Sequence, residues 1–528
     1  MVTNGKDIGF RAESNSSSLN SAAITDTASR AGVRAPSLEF SEELEEFYKS
    51  HNFYPSIDTI SCYCPWRFVR LNPRYDKDET LKILQEEVKN LRNNKISEDA
   101  GAEYHSSEVT TITSVPWLES RWGFYALPAK FPLSKSLSFR SGKIYGMDVS
   151  SGAAVAALLT DHYDNNKFTK CGSQKNQFTT QEDASTRIGE NLNTSRELRI
   201  LDLCCSPGLK LLQIADFFHQ KESIESTTGT KQLRSVKLMG VDICKHRMNV
   251  CKSIVQKYFV DFETSGRLGM EKISTEDRVN IQLYLQDGTS FGISDSPTTG
   301  NVCNLVFDSG VAIEEMFQRQ GKRKRMNKSA RAREKRKLRH IVKIETHPVV
   351  EESESGSEND KHTQNSIECF DYVLVDAECS TDGSFKHIKE RIKDSKIGCV
   401  PREENHRLTD PNKLAELVGL QRKLIVSGFR LLKAGGTLVY STCSLSEDQN
   451  EKVVKWLLES YQDAVLQPLC FHSKQYTKCI VEGSLKGTIR FYPNFVQGTE
   501  STPLLFGDGF FVAKIRKRPS STLKGNTI

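Results

Sequence analysis

Long apolar runs are missing from this sequence. The longest, AAVAALL at residues 153–159, falls far short of the ~20 residues that span a bilayer, so neither a transmembrane helix nor a membrane partner is expected. Order among the cysteines is missing too. The 14 thiols are irregularly spaced, two are adjacent (Cys204 and Cys205) and no secretory signal stands before them, which argues against a disulfide framework and for free thiols in a reducing compartment. Paired Cys-x-x-Cys or His-x-x-x-His spacings are lacking; Cys62-Tyr-Cys64 comes nearest, and no metal site is expected. The Gly-x-Gly-x-x-Gly turn is also absent, which makes a pyrophosphate-bearing dinucleotide a poor fit.

Excess positive charge is confined to one segment. Residues 322–339 carry eleven Lys and Arg against one Glu, more than the whole net charge of +6, so the remainder of the chain is net acidic. This basic block, KRKRMNKSARAREKRK, is followed by EESESGSEND at 351–360, and such charge blocks mark a solvated insertion. Two functions fit it: a tether for RNA phosphates, or a nuclear import signal with a nuclear or nucleolar location. Residues 1–37 are rich in Ser, Ala and Thr and read as a disordered tail. The alternative is a mitochondrial or other organellar transit peptide, which Asp7, Glu13 and Asp26 oppose.

The length exceeds one ordinary core. Residues 38–138 mix helical spacing (Leu81, Ile83, Leu84, Val88, Leu91) with aromatic stretches around Trp66 and Trp117. They read as a smaller α+β accessory domain, in which Arg70, Arg74 and Lys77 are either RNA contacts or a solvated face. A larger domain is expected over 139–516, with polar insertions near 161–197, 220–234 and 310–365, then a tail at 517–528. A monomer is expected. From residue 198 short apolar runs alternate with helical ones, the pattern of an α/β fold with a mostly parallel sheet covered by helices. Strands are predicted at 198–203, 236–243, 279–285, 370–375 and 437–441, with antiparallel strands at one edge from 487–492 and 509–515. The spacing of Leu414, Leu417, Leu424, Leu431 and Leu432 predicts a helix capped by Asp410, with Pro411 in its first turn and Gly435-Gly436 at its end.

Ligands of such sheets bind beyond the carboxyl ends of the strands. The first strand runs into LDLCCSPGLKLLQIADFF: Asp202 closes it, Cys204, Cys205 and Ser206 lead into the tight turn Pro207-Gly208, and Lys210 starts the following helix. A turn of small residues lets a ligand approach backbone N–H groups. Asp242 ends the second strand, where a carboxylate can accept both hydroxyls of a ribose, and Asp287 ends the third, where it can reach an adenine amino group. A ligand with adenosine and no pyrophosphate fits, and S-adenosyl-L-methionine is one.

Two thiols end two further apolar runs, Cys379 in VLVDAECSTDG (373–383) and Cys443 in LVYSTCSLSEDQNE (438–451). Here the residues resemble a known family. Asp202-Leu-Cys-Cys-Ser-Pro-Gly-Leu-Lys210, Asp376-Ala-Glu-Cys-Ser380 and Ser441-Thr-Cys-Ser444 with Asn450-Glu451 look like the motifs of the Sun/Fmu-type (NOL/NOP/Sun) RNA cytosine-5 methyltransferases. Arg70-Leu-Asn-Pro73, Tyr145-Gly-Met-Asp-Val-Ser-Ser151, Arg490-Phe-Tyr-Pro493 and Asp508-Gly-Phe-Phe511 match as well. The resemblance implies a Rossmann-like class I methyltransferase fold, S-adenosyl-L-methionine as cofactor and transfer or ribosomal RNA as substrate.

That chemistry needs thiols. Carbon 5 of cytosine is a poor nucleophile, so a thiolate adds at carbon 6 and pushes electron density onto carbon 5. Loss of the carbon 5 proton and expulsion of the thiol then benefit from a second group. An ordinary thiol, pKa ~8.5, is a few per cent ionised at pH 7, so forming the thiolate costs about 2 kcal/mol. Ser446 followed by Gln449 resembles a capping pair, which would set Cys443 just before a helix amino terminus and favour its anion. Glu378, if it points the same way as Cys379, would raise that thiol's pKa. Cys443 is therefore expected to be the nucleophile and Cys379 to assist product release, as the resemblance also implies, with Asp376 orienting the base at ring nitrogen 3 and bordering the cofactor. Two positions depart from the family pattern: Glu378 stands in place of proline, and Gly208-Leu-Lys-Leu211 in place of Gly-Gly-Lys-Thr. Glu378 also argues against a DNA cytosine methyltransferase, whose nucleophile follows that proline. A rival of another class is a non-catalytic RNA-binding or ribosome-assembly factor that keeps the cofactor fold.

Overall fold

Beginning at Arg67, β1 (Arg67–Leu71) leads through α1 (Lys77–Glu98) to β2 (Thr113–Ser114), β3 (Phe124–Leu127), α2 (Leu137–Arg140) and β4 (Ile144–Gly146). The computed structural model describes residues 66–98, 112–115, 117–118, 120–128, 131–160, 197–228, 235–260, 279–292, 304–312, 370–384, 411–469, 471, 480–492 and 507–519. The four strands form an antiparallel sheet in the order β2-β3-β1-β4. Leu84 and Val88, one turn apart on α1, pack with Val69, Leu71, Leu127, Phe131 and Ile144. Because β4 pairs with β1, this small sheet runs to residue 146, past the boundary expected at 138.

The second sheet has ten strands. It is built by α3 (Val149–Leu159), β5 (Leu198–Asp202), α4 (Leu209–Thr228), β6 (Val236–Asp242), α5 (Lys245–Val255), β7 (Val279–Leu285), β8 (Leu305–Asp308), β9 (Phe370–Asp376), α6 (Pro411–Leu431), β10 (Leu432–Thr442), α7 (Glu451–Ser460), β11 (Ala464–Gln467), β12 (Ile480–Glu482), β13 (Ile489–Phe491) and β14 (Phe510–Lys517). The order is β12-β13-β14-β10-β9-β5-β6-β7-β8, with β11 also on β14. Strands β7, β6, β5, β9 and β10 are parallel, while β14 inserts antiparallel beside β10. This is a Rossmann-like arrangement, a mostly parallel sheet continued by antiparallel strands, and all five predicted parallel strands are present in it. The runs at 487–492 and 509–515 pair antiparallel at one end of the sheet as expected, as β13 and β14, and the short β12, which was not predicted, adds beyond β13. The four-residue β8, antiparallel to β7, was not predicted; its run is too short to show a period.

Helix α6 starts at Pro411 as predicted, and its buried Leu414, Leu417, Leu424 and Leu431 follow the expected face. It ends at Leu431, and Gly435 sits in a bulge of β10 at φ 78°. Helix α3 is buried on nearly every side and packs on β9, β10, β14 and α4, which fits its composition, apolar or glycine apart from Ser150 and Ser151 in its first turn. Helix α4 reaches Thr228, into the stretch read as a polar insertion. The expected tails at 1–37 and 520–528, Cys62, Cys64, Asp410, the basic block and most of the insertions lie outside the described residues. No helix among those described is long and apolar enough to cross a membrane.

The small and large sheets are joined by a buried ionic cluster. Asp216 on α4 is fully buried and accepts hydrogen bonds from both Arg70 and Arg74. Arg70 also donates to the Trp122 carbonyl at 3.1 Å, and Trp122 stacks on Phe217 at a centroid distance of 5.4 Å. Burial alone would raise the carboxyl pKa of Asp216, but the two guanidinium groups outweigh it and hold it below the ordinary value. Arg70 and Arg74 are thus neither a solvated face nor an RNA contact, because a buried carboxylate in the core needs their charge. Lys77 is exposed.

Candidate active site

At the carboxyl end of β5 the chain turns through Cys204 to Gly208 into α4. Gly208 has φ 101°, and a Cβ there would lie 2.8 Å from the Cys251 sulfur, so only glycine fits the turn. The turn borders a cavity of about 190 Å³ lined by Cys204, Cys205, Ser206, Pro207, Lys210 and Asp376, all predicted, together with Asp202, Leu209 and four residues from 146 to 151. Asp148, which caps α3 by accepting from the Ser150 N–H at 2.9 Å, and Ser151 are two of these. Their motif was recognised in the sequence, but no site role was attached to it. The signal available was the small-residue helix start directly after a strand.

Asp202 is the polar group this cavity leaves least satisfied. It is buried, and among the described residues neither carboxylate oxygen has a partner within ordinary hydrogen-bond geometry, although the nearby Cys204 N–H pulls the pKa down. Burial first, then Asp376, push its pKa up to about 7 against the pull of Lys210. The Ser206 hydroxyl, buried as well, also lacks a partner. A buried carboxylate and hydroxyl bordering a cavity form a receptor for a cationic, hydrogen-bonding ligand. The ammonium of S-adenosyl-L-methionine is such a group, and the residues present fit it.

Asp242 and Asp287 stand at the strand ends as predicted but are not in the cavity lining. Asp242 is buried, accepts from the Cys244 N–H at 2.8 Å and faces Arg247 at 3.6 Å. Asp287 is exposed and accepts from the Thr289 N–H and hydroxyl at 2.8 and 2.9 Å, a local turn contact.

The two thiols, 64 residues apart, meet. Cys379 follows β9 and Cys443 follows its parallel neighbour β10, and their sulfurs are 3.1 Å apart. Asp376 ends β9 beside them, accepting from the Lys210 ammonium at 2.6 Å and the Ser441 hydroxyl at 2.7 Å. Burial alone would lower the pKa of Lys210, but Asp376, Asp202 and Cys443 outweigh it and raise it. The geometry therefore sets the Cys379–Cys443 pair at the strand ends next to Asp376 and Lys210, and these last two line the cavity.

The expected electrostatics of Cys443 are overturned. Its thiol pKa is pushed well above the ordinary value, first by its hydrogen bond with Cys379, then by burial, and further by Asp376 and Asp382. No helix dipole offsets this. Helix α7 starts at Glu451, and Asn450 before it makes no side-chain cap. Gln449 is not a capping partner of Ser446, because its amide accepts from the Ser380 N–H at 3.0 Å and donates to the Ser380 hydroxyl at 2.8 Å.

Beyond the thiols, buried ion pairing fixes the loop that carries Cys443. Arg490 on β13 chelates Glu451 and donates to the Leu445 carbonyl at 2.6 Å. Both residues are buried, and both lie in recognised motifs to which no role was assigned. A charge within an otherwise apolar strand was the clue: β13 reads Ile-Arg-Phe.

Residues 327–516 match the family described as 16S rRNA methyltransferase RsmB/F. A curated relative, the ribosomal RNA small subunit methyltransferase F of Escherichia coli O157:H7 (strain EC4115 / EHEC), is 34% identical over 151 residues, covering 28% of this chain. The chain spans about a quarter (26%) of that relative's length. Among solved structures, a methyltransferase homolog protein from Pyrococcus horikoshii is 17% identical, with 90% of this chain and 100% of that one covered and a TM-score of 0.39. NSun6 from the same organism is 13% identical, with 91% and 99% covered and a TM-score of 0.42. The matched residues hold both thiols, Asp376, Glu451 and Arg490, and over this stretch the chain is similar to the RsmB/F (Sun/Fmu) methyltransferases.

Proposed function

We propose that the protein is an S-adenosyl-L-methionine-dependent RNA methyltransferase that modifies carbon 5 of a cytosine, with Cys443 as nucleophile and Cys379 as the thiol that assists product release. The observation that carries this reading is the 3.1 Å approach of two sulfurs at adjacent strand ends, beside an Asp376–Lys210 pair on the rim of the cavity. When bound, the cofactor supplies an electrophilic methyl group. Asp202 and Ser206 would hold its amino-acid portion and the 204–208 turn its body, with Asp242 and Asp287 as candidates for the ribose and adenine. Lys210 holds Asp376 in place and brings a positive charge to the thiols, which favours the Cys443 anion during attack on carbon 6. Asp376 is positioned to hydrogen bond ring nitrogen 3 of the adduct once one of its present donors gives way. Cys379, already hydrogen bonded to Cys443, assists when the bond to carbon 6 breaks.

The site requires a base out of its stack, so single-stranded loops are the fitting substrates. Small-subunit ribosomal RNA is the first to test, given the relatives' names, with transfer RNA second. On a denaturing gel Cys379→Ala is expected to accumulate a protein–RNA adduct, whereas Cys443→Ala is expected to abolish methylation. Methylation surviving in Cys443→Ala would reverse the two roles. Bisulfite sequencing of RNA from cells with and without the protein gives activity and target together, and RNA binding with no methyl transfer would favour a non-catalytic assembly factor. The basic block at 322–339 supplies the natural phosphate tether, and its deletion should flatten the salt dependence of RNA binding.

A further inference from the structure

The two thiol loops are stitched together by several contacts, among them a 3.4 Å hydrogen bond from the Ser380 hydroxyl to the Ser444 hydroxyl. Ser380 pairs with Gln449 through two hydrogen bonds at 3.0 and 2.8 Å. Gly383 donates its N–H to the Cys443 carbonyl at 3.0 Å. Between these, Asp382 uses both carboxylate oxygens: one accepts from the Ser380 hydroxyl on its own loop, the other from the Leu445 N–H at 2.6 Å on the Cys443 loop. Asp382 is fully buried. It is aimed there by Thr381, which holds φ 58°, an arrangement that costs a non-glycine residue of order 1 kcal/mol. Room for the close approach comes from Gly383, where a Cβ would lie 2.7 Å from the Cys443 carbonyl oxygen.

A buried carboxylate so near a thiol that must ionise works against the anion. Its place there calls for a benefit elsewhere, and the contacts say which: its side chain joins the residue after Cys379 to the second residue after Cys443. We propose that Asp382 is a positioning residue that keeps the Cys379 sulfur against the Cys443 sulfur, so that the releasing thiol is in place when the adduct has to break down. This role rests on the reading under Proposed function.

The test separates the two. Diamide oxidises neighbouring thiols, and each disulfide formed passes two electrons and two protons to the reagent's nitrogen–nitrogen double bond. The rate of Cys379–Cys443 disulfide formation is read by mass spectrometry of digests of the full chain without RNA or cofactor; losing the Asp382 charge eases ionisation of Cys443 and on its own would speed the reaction, so a slower rate in a neutral variant reports displaced sulfurs. Asp382→Ala should slow it by about tenfold or more, since displacements near 1 Å carry effects of that size. Asp382→Asn should restore it, because the amide oxygen can accept from Leu445 while the amide nitrogen donates to the Ser380 hydroxyl. Ser380→Ala, which removes the hydroxyl's contacts with Asp382, Gln449 and Ser444 but leaves Asp382 on the Leu445 N–H and changes no charge, should slow trapping less than Asp382→Ala, and it serves if the latter does not fold. With RNA and cofactor, Asp382→Ala should also accumulate covalent adduct, as Cys379→Ala does.

Trapping in Asp382→Ala or Ser380→Ala as fast as in the native protein, or in Asp382→Asn as slow as in the alanine variant, overturns the proposal. Trapping as expected, with no adduct and no methyl transfer in any variant, leaves the positioning role standing and removes the methyltransferase reading instead.

Discussion

Asp202 and Asp216 are both buried, 14 residues apart on one strand–helix unit, and the protein treats them in opposite ways. Asp216 is clasped by Arg70 and Arg74 and held below the ordinary carboxylate pKa; Asp202 has no well-formed hydrogen bond, and its pKa is pushed up to about 7. The difference tells structure from function. A buried charge whose partners come from the protein is fastening two parts of the fold, whereas one left without partners on a cavity wall is waiting for a ligand.

The largest consequence concerns stability. Asp216→Ala should destabilise the protein by about 3–5 kcal/mol, because it leaves two guanidinium groups buried without their counter-charge. Thermal or urea unfolding checks this, and a loss below about 1 kcal/mol would mean that the cluster does not join the sheets. Asp202→Asn should behave in the opposite sense. Above pH 7 it removes an uncompensated buried charge and should stabilise the fold by up to a few kcal/mol. Binding of S-adenosyl-L-methionine, measured by calorimetry, should weaken at least tenfold; unchanged affinity would show that Asp202 is not a ligand group.

The same pair sets opposite pH dependences. For Asp202 the folded pKa of about 7 lies above the unfolded value near 3.9, so the folded state binds more protons between them. Stability should fall as pH rises through that window and level off above it, and the slope should vanish in Asp202→Asn. For Asp216 the folded pKa is lowered, so its contribution is complete above the unfolded value and is lost only as pH falls through the folded one. Urea titrations of the native and Asp202→Asn proteins from pH 4 to 8 would distinguish these signs. The smallest effect is expected at Asp287. It is exposed, so Asp287→Ala should cost about 1 kcal/mol or less through loss of its turn contact. A clear loss of cofactor affinity there would nonetheless extend the ligand site to the end of β7.

What the sequence made legible follows from where the information lies. The parallel strands have buried centres and read as short runs rich in apolar residues, so β5, β6, β7, β9 and β10 could be found from the sequence pattern. The site thiols were found because each ends such a run. Strand β8 could not be found that way, nor could the membership of β4 in the small sheet, since pairing partners are set by long-range register. Electrostatics were the least legible part. Arg70 and Arg74 look like surface arginines until Asp216, more than 140 residues away, is seen between them. Ser446 and Gln449 have the spacing of a cap, yet Gln449 is claimed by Ser380 from the neighbouring loop. In both cases a distant partner outcompeted the local rule.

The account stands or falls on which sulfur bonds to the RNA base. Incubating the native protein with cofactor and an RNA carrying 5-fluorocytidine arrests the reaction, because the fluorine on carbon 5 cannot leave as a proton does. Mass mapping of the trapped complex should find the nucleotide on the peptide containing Cys443. Attachment at Cys379, or methylated RNA without any attachment, would contradict it.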